Sequence, residues 1–227
     1  PGKGFLPMTL ADRLVNNGLS YNTVWSIGCP FKCTYCGNTR FIENDVAYRK
    51  IRHPSARYAV AEIKHVLEAH PYISTVCFHD DSFMAIPFDQ IAEFAEIWKE
   101  EAGIPFAVYG VIPNYVRQDK LQVLTWGGMN RIRMGVQSGS QRILDFYQRP
   151  TPPEQVLEAS HVCSKFAPRY QIPPAYDIIV DNPIENRQDV IDTLELVYAF
   201  GRPFTLNIFS LKLIPNTVLE RRMKAEG

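Results

Sequence analysis

Six short runs of apolar and β-branched residues alternate along the chain with longer segments whose apolar residues recur every three or four positions. Short continuous runs are typical of buried strands, and the longer spacing is typical of helices with one apolar face. The predicted strands cover residues 22–27, 73–78, 105–111, 131–136, 175–180 and 204–211. Because helical segments separate these strands, the pattern predicts βα units arranged around a parallel sheet.

The helical segments are marked by start signals and by the spacing of their apolar residues. A helix opened by Pro87 follows the usual preference for proline at helix starts. In the last helix before the sixth strand, Val190, Leu194 and Val197 recur at helical spacing. These apolar residues mark a helix between the fifth and sixth strands.

The number of βα units limits the architecture. Six units fall short of the eight in a closed barrel, which typically needs about 250 residues. Periodicity alone is compatible with both an open doubly wound sheet and a partial barrel. We expect residues 1–21 to be a lead-in from a preceding domain. Residues 22–227 would then form the α/β domain, with a truncated C-terminus because the sequence stops in a helical-looking segment.

Composition and charge narrow the class of protein further. The 227 residues carry 24 Lys and Arg against 24 Asp and Glu. This balance provides no basic excess for binding nucleic acid or anionic lipid. No apolar run approaches the ~18 residues of a membrane span. Five cysteines do not make a secreted disulfide framework, so we expect a cytoplasmic protein in a reducing compartment.

Polar or metal-binding residues follow every predicted strand. In parallel βα architectures the loops after the strands share one rim, where ligands bind. These loops begin near Cys29, His79, Pro113, Gln137, Asp181 and Pro215. The sequence therefore predicts one large site at the carboxyl ends of the strands.

The first of these loops carries three cysteines in the pattern C-x3-C-x2-C, at Cys29, Cys33 and Cys36. A structural zinc site would need a fourth ligand, usually from a second Cys or His pair at recognisable spacing. No such pair follows nearby. Three thiolates without a fourth ligand favour an iron–sulfur cluster with one iron open to an exogenous ligand.

With Tyr35 before its last cysteine, this motif resembles the defining motif of the radical S-adenosylmethionine superfamily. The resemblance covers essentially the whole chain, because the six βα units match that family's partial (β/α)6 TIM-like barrel of six parallel strands with outer helices. It implies that Cys29, Cys33 and Cys36 hold a 4Fe–4S cluster. It also implies that the amino and carboxylate groups of S-adenosylmethionine chelate the fourth iron.

The resemblance also implies a cofactor contact after the second strand. Asp80, Asp81 and Ser82 stand where the family often has a Gly-Gly-Glu-like stretch that receives the cofactor's amino group. Carboxylates beside an ammonium and a sulfonium are electrostatically favourable. The alternative is that Asp81 or Ser82 only caps the turn before the next helix. The sequence does not decide between the two aspartates.

Further contacts are implied on the fourth and fifth strands. Gln137 and Ser138 lie in a Gly-Val-Gln-Ser-Gly segment that resembles a family segment facing the ribose or methionyl part of the cofactor. Arg149 corresponds to an arginine that pairs with the cofactor carboxylate in relatives, although it could equally be a solvated cation at a helix end. Asp177 corresponds to an acidic residue that binds the ribose hydroxyls in some relatives.

The resemblance implies reductive cleavage of S-adenosylmethionine to a 5′-deoxyadenosyl radical that abstracts hydrogen from a substrate. A one-electron reductant of the flavodoxin or ferredoxin type would be the partner. The segment 181–185 resembles the cobalamin-associated branch, so a cobalamin-dependent methyltransferase is one hypothesis, with cobalamin bound by a domain outside this chain. The alternatives are a cobalamin-independent radical enzyme and a non-catalytic iron–sulfur or zinc module for electron transfer or structure.

Overall fold

The computed structural model describes residues 9–12 and 18–226. Its six strands form one sheet in which every neighbouring pair is parallel and the strand order follows the chain order. The α/β prediction with six parallel strands is therefore confirmed. The strands are β1 (Ser20–Thr23), β2 (Thr75–Phe78), β3 (Phe106–Val111), β4 (Met129–Gln137), β5 (Ala175–Val180) and β6 (Thr205–Ser210).

Helices connect successive strands, as the apolar spacing predicts. Among the described residues, no helix is long and apolar enough to cross a membrane. The helix α3 continues directly into a π-helical turn, Trp98–Ala102. The helices are α1 (Asn38–Asn44), α2 (Ala56–Ala69), α3 (Phe88–Ile97), α4 (Gln118–Gly127), α5 (Gln141–Phe146), α6 (Pro153–Ser164), α7 (Arg187–Tyr198) and α8 (Val218–Glu226).

An aromatic cluster joins the first half of the sheet to α3. The ring centroids of Phe78 and Phe94 lie 5.5 Å apart, and those of Trp98 and Phe106 lie 5.1 Å apart. Trp25 stacks on Phe94 at 4.6 Å. All five side chains are buried. This cluster therefore fixes the segment after β1, which carries the cysteines, to the apolar core.

The first strand is shorter and earlier than the predicted strand 22–27. Pairing with β2 ends at Thr23, because the backbone N–H groups that follow donate to a side chain and not to β2. The N–H groups of Trp25 and Ser26 donate to the buried carboxylate of Asp80 at 3.1 and 2.6 Å. The strand β1 starts at Ser20, within the predicted lead-in 1–21. Residues 1–8 and 13–17 of that lead-in lie outside the described residues.

The helix marked by Val190, Leu194 and Val197 is present as α7, but only Val197 of the three packs against the core. Val190 and Leu194 have exposed fractions of 47% and 63%. The buried side chains of this helix include Asp189 and Thr193 instead. Thr193 donates to the main-chain carbonyl of Asp189 and accepts from the Gly139 N–H at 2.9 Å. The buried face of this helix therefore combines a polar network with the apolar residues Leu196 and Val197.

Candidate functional site

The three cysteines lie in the loop after β1 and line one cavity of about 190 Å³. Cys29 and Cys33 are buried, and Cys36 is partly buried. Distant parts of the chain hold this loop through backbone hydrogen bonds. The Cys29 N–H donates to the Tyr48 carbonyl at 3.0 Å, and the Thr34 N–H donates to the Tyr147 carbonyl at 2.8 Å. The fold thus presents three sulfur atoms to a common space.

Burial also controls the protonation of these thiols. Burial is the main cause that raises the pKa of Cys29 and raises the pKa of Cys36 to about 11. Without a metal, both thiols therefore carry their protons at neutral pH, and metal binding must displace them. Cys77 and Cys163 are buried elsewhere, in β2 and α6, and do not line this cavity.

The positions of the His, Cys, Asp and Glu side chains can be compared with those needed to bind a single metal ion or an iron–sulfur cluster. Within residues 9–12 and 18–226, no three His, Cys, Asp or Glu side chains form a group close enough to hold a single metal ion. A 4Fe–4S cluster is bound differently, because each thiolate ligates a different iron. Three cysteines around a shared cavity are compatible with this mode of binding.

Two polar side chains donate hydrogen bonds to the sulfur atoms. The buried Ser82 hydroxyl donates to Cys29 Sγ at 3.7 Å. The Arg149 guanidinium donates from Nη1 to Cys33 Sγ at 3.8 Å and to the Tyr35 hydroxyl at 3.3 Å. Such donors would stabilise the negative charge of metal-bound sulfur, although burial raises the pKa of the free Cys29 and Cys36 thiols.

Arg149 is a buried cation without a carboxylate partner among the described residues. Its Nη2 donates to the Gly135 carbonyl at 2.5 Å, and its Nε is buried without any acceptor. A buried charge is costly unless it is paired. This guanidinium therefore fits an anionic group in the adjoining cavity, which the cluster thiolates or a bound carboxylate would supply.

The structure separates the two neighbouring aspartates. Asp80 is buried and accepts from Trp25 and Ser26, and it does not line the cavity. Asp81 lines the cavity and accepts from the Asn38 amide at 2.8 Å and the Tyr48 hydroxyl at 2.6 Å. Alternating backbone directions thus give the pair different roles, with only Asp81 next to the ligand space.

Gly110 forms the part of the cavity wall that touches the Asp80 backbone. Its φ of +65° is unfavourable for residues with a side chain, and an added Cβ would lie 1.8 Å from the Asp80 carbonyl oxygen. Glycine therefore allows the end of β3 to approach the loop after β2 closely enough to close this side of the cavity.

Gln137 and Ser138 have different positions in spite of their adjacency. A register shift between Gly135 and Gln137 interrupts the pairing of β4 with β5, and Gln137 adopts a φ of +78° and lines the cavity. Ser138 is fully buried, and its hydroxyl lies 3.2 Å from the Thr193 hydroxyl. Ser138 thus belongs to the polar network beneath the loop.

Asp177 lines the cavity together with a residue that sequence analysis missed. Arg133 Nε donates to both carboxylate oxygens of Asp177 at 2.8 and 2.9 Å. Asn207 on β6 donates to the same carboxylate at 2.9 Å. A charged residue inside the apolar strand run 131–136 was the available signal for Arg133. No comparable signal marked Asn38, the first residue of α1, or Tyr48, which lies in the 3-10 helix Val46–Arg49.

A second cavity of about 560 Å³ adjoins the first. The two share Tyr35, Arg133, Gln137 and Asp177. The remaining wall of the second cavity is largely apolar and includes Ile179, Ile208, Phe209, Leu211 and Ile214. A ligand in the first cavity would therefore be separated from an apolar ligand in the second only by these four shared side chains.

The sequence of the chain is similar to those of known proteins. The family model described as the radical SAM superfamily matches residues 23–197. An uncharacterized methyltransferase of Pyrococcus horikoshii is 24% identical over 196 residues, covering 86% of this chain and 40% of that protein.

Solved structures provide a likeness of fold. The radical enzyme OxsB, described as cobalamin-dependent and S-adenosylmethionine-dependent, superposes with a TM-score of 0.69 at 17% identity, covering 90% of this chain and 35% of that one. The methyltransferase TsrM from Kitasatospora setae was solved with cobalamin and a 4Fe–4S cluster bound. It superposes with a TM-score of 0.68 at 16% identity, covering 91% of this chain and 37% of that one. The chain thus spans less than half the length of each of these proteins.

Proposed function

Because the chain belongs to the radical S-adenosylmethionine superfamily, we propose that Cys29, Cys33 and Cys36 bind a 4Fe–4S cluster that cleaves S-adenosylmethionine reductively. The observation that carries this proposal is the shared cavity, which three cysteines line beside an unpaired buried guanidinium. Reductive cleavage to methionine and a 5′-deoxyadenosyl radical is the chemistry that the bound cluster would supply.

The protein's own residues would bind and orient the two cofactors. Arg149 would balance the negative charge near Cys33 and the cofactor carboxylate. Asp81, fixed by Asn38 and Tyr48, would face the amino group. Gln137 and the pair of Asp177 with Arg133 would contact the nucleoside, since all three line the cavity.

The other predicted contact residues would act indirectly. Asp80 would hold the segment before Cys29, and Ser82 would donate to the Cys29 sulfur. Ser138 would support the loop after β4 from beneath. The Tyr35 hydroxyl would accept from the Arg149 guanidinium while its ring forms part of the wall between the cavities.

A cobalamin-dependent methyltransferase is our more specific hypothesis. Its support is the likeness of fold to OxsB and TsrM and the sequence similarity to a protein described as a methyltransferase. The apolar second cavity next to the cysteine cavity supplies space for a further ligand. Cobalamin binding by the full-length protein, followed by transfer of a labelled methyl group from S-adenosylmethionine, would test this hypothesis.

The first test is anaerobic reconstitution with iron and sulfide. The protein should bind about four irons and, after reduction, convert S-adenosylmethionine to 5′-deoxyadenosine and methionine. Each of Cys29→Ala, Cys33→Ala and Cys36→Ala should abolish cluster binding, because each removes one iron ligand. Iron analysis, electron paramagnetic resonance and product chromatography are the measurements.

Cys77→Ala and Cys163→Ala are the matched controls, because both cysteines are buried outside the cavity. They should retain the iron content of the wild type. A protein that takes up zinc and ignores iron and sulfide would contradict the cluster assignment. A reduced, cofactor-bound cluster that yields no 5′-deoxyadenosine would contradict the proposed reaction.

A further inference from the structure

Four exposed cations surround the outer side of the cysteine loop: Lys32, Arg49, Lys50 and Arg52. We call them the basic patch. Among the residues that the structure describes, none of the four is in an ion pair. The chain as a whole is neutral, so this local excess is a feature of the surface and not of the composition.

Backbone hydrogen bonds fix the basic patch to the cysteine loop. Ile27 and Arg52 form an antiparallel bridge with two bonds of 3.0 Å. Arg49 Nη2 donates to the Pro30 carbonyl at 3.1 Å. Together with the bond from the Cys29 N–H to the Tyr48 carbonyl, these contacts make residues 46–52 a rigid flank of the loop.

The nearby acidic groups do not cancel this charge. Glu43 is already paired with Arg40 and Arg221. The Asp45 carboxylate, which accepts from the Ala47 N–H at 2.9 Å, offsets only one of the four positive charges. The basic patch therefore keeps a net positive charge toward solvent.

A groove of about 370 Å³ runs beside the basic patch. Lys32 and Arg49 line it on one side and Asp145 on the other, and Pro30, Phe31, Gln148 and Pro150 complete the wall. Arg149 lines both this groove and the cysteine cavity. A single layer of side chains thus separates a basic external surface from the proposed cluster, at the Cys33 side.

We propose that the basic patch and this groove form the docking surface for an acidic one-electron carrier protein. The inference rests on the proposed function, which requires one electron for each cleavage. In the docked complex, the carrier is oxidised by one electron and the cluster is reduced by one, without bond formation between the proteins. Charge complementarity steers encounter between oppositely charged surfaces and is weakened by salt.

The experiment measures how fast the reconstituted protein is reduced by two reductants, in stopped flow at low ionic strength. One is the hydroquinone of an acidic flavodoxin, and the other is reduced methyl viologen, a small cation that needs no docking surface. In the double variant Lys32→Glu/Lys50→Glu, the rate with flavodoxin should fall tenfold or more. The rate with methyl viologen should not fall.

Lys165→Glu is the matched control, because this exposed lysine follows α6 at the opposite, amino-terminal edge of the sheet. It carries the same type of charge reversal and should keep the wild-type rates. Raising the salt concentration should slow the reaction of the wild type with flavodoxin and leave that of the double variant nearly constant. Iron content, measured on every variant, identifies loss of the cluster.

The outcomes separate the two proposals. Equal rates with flavodoxin for the wild type and the double variant, or no reduction of the wild type by the acidic carrier, would overturn the docking surface. Product formation with methyl viologen would leave the proposed function intact in both cases. Failure with methyl viologen as well, in a protein that holds its cluster, would contradict the proposed function itself.

Discussion

The contacts of Arg149 lead to a prediction about the reduction potential of the proposed cluster. The buried guanidinium of this residue donates to Cys33 Sγ and to the Tyr35 hydroxyl. Arg149→Met removes a positive charge and a hydrogen bond beside a sulfur ligand. Reduction adds negative charge to a cluster, so this loss should lower the reduction potential, by on the order of tens of millivolts. Electron paramagnetic resonance during a potentiometric titration measures the shift.

Arg149→Lys provides the control for charge. It keeps the cation and loses the fixed fork of donors, so its potential should lie between those of the wild type and Arg149→Met. A potential unchanged in both variants, with full iron content, would mean that Arg149 acts only in packing or in cofactor affinity.

Sequence reasoning found the cysteines because their spacing within one loop is itself the signal. It could not decide between Asp80 and Asp81, because the direction of a side chain depends on the local backbone path. Asn38 and Tyr48 were missed for another reason. Their contacts with Asp81 join segments far apart in the chain, and no local pattern records such a contact.

At the scale of elements, the junction between β1 and the cysteine loop depends on Asp80. Asp80→Ala would leave the N–H groups of Trp25 and Ser26 and the Ser26 hydroxyl without their acceptor. Unsatisfied buried donors are costly, so we expect unfolding free energy to fall by roughly 2–4 kcal/mol. Iron content after reconstitution should fall as well. Chemical denaturation and iron analysis measure the two effects.

Asp80→Asn keeps one acceptor oxygen in the same place and should recover part of both losses. If Asp80→Ala unfolds like the wild type and binds the same amount of iron, the carboxylate does not organise this junction.

The buried face of α7 leads to a prediction about pH. Arg142 donates to Asp189, and the Ser140 hydroxyl donates to it at 2.6 Å. The hydrogen bond from Arg142 is the largest cause that lowers the pKa of this carboxyl below its ordinary value. A carboxyl whose pKa is depressed by folding stabilises the folded state at pH values above its pKa in the unfolded chain, about 4. This stabilisation is lost progressively as the pH falls below that unfolded-state pKa. Asp189→Asn should therefore flatten the decline in melting temperature between about pH 5 and 3.

Leu194→Gln is the matched control on the exposed side of the same helix. It should change unfolding free energy by less than about 0.5 kcal/mol and keep the wild-type dependence on pH. A larger loss for Leu194→Gln than for Asp189→Asn would contradict the exposed position of Leu194.

The apolar spacing that marks α7 does not show which side of the helix is buried, and the reason is physical. Val190, Leu194 and Val197 satisfy a helical period, but so does the polar set that includes Asp189 and Thr193. Gly139 allows the helix to approach so closely that an added Cβ would lie 2.5 Å from Thr193 Cα. Hydrogen bonding across this close contact outweighs the burial of two aliphatic side chains, and periodicity alone cannot weigh the two.

For the whole molecule, the alternation of strands and helices was sufficient to predict six parallel strands. Each βα unit buries its own apolar residues against its neighbours, so local spacing carries the information. Whether six units form a flat sheet or part of a barrel depends on strand tilt and closure, which local spacing does not record. That choice followed from the resemblance of the cysteine motif and agrees with the solved neighbours.

The strand order, in which every strand pairs with its neighbour in sequence, also bears on how the protein is made. As the chain leaves the ribosome, each new βα unit can add to those already synthesised, because no strand waits for a distant partner. The cysteine loop differs, since Thr34 is bonded to the backbones of Tyr147 and Leu219. The sheet can grow from its first strand onward, whereas the iron-binding loop gains its last anchors only when almost the whole domain has been translated.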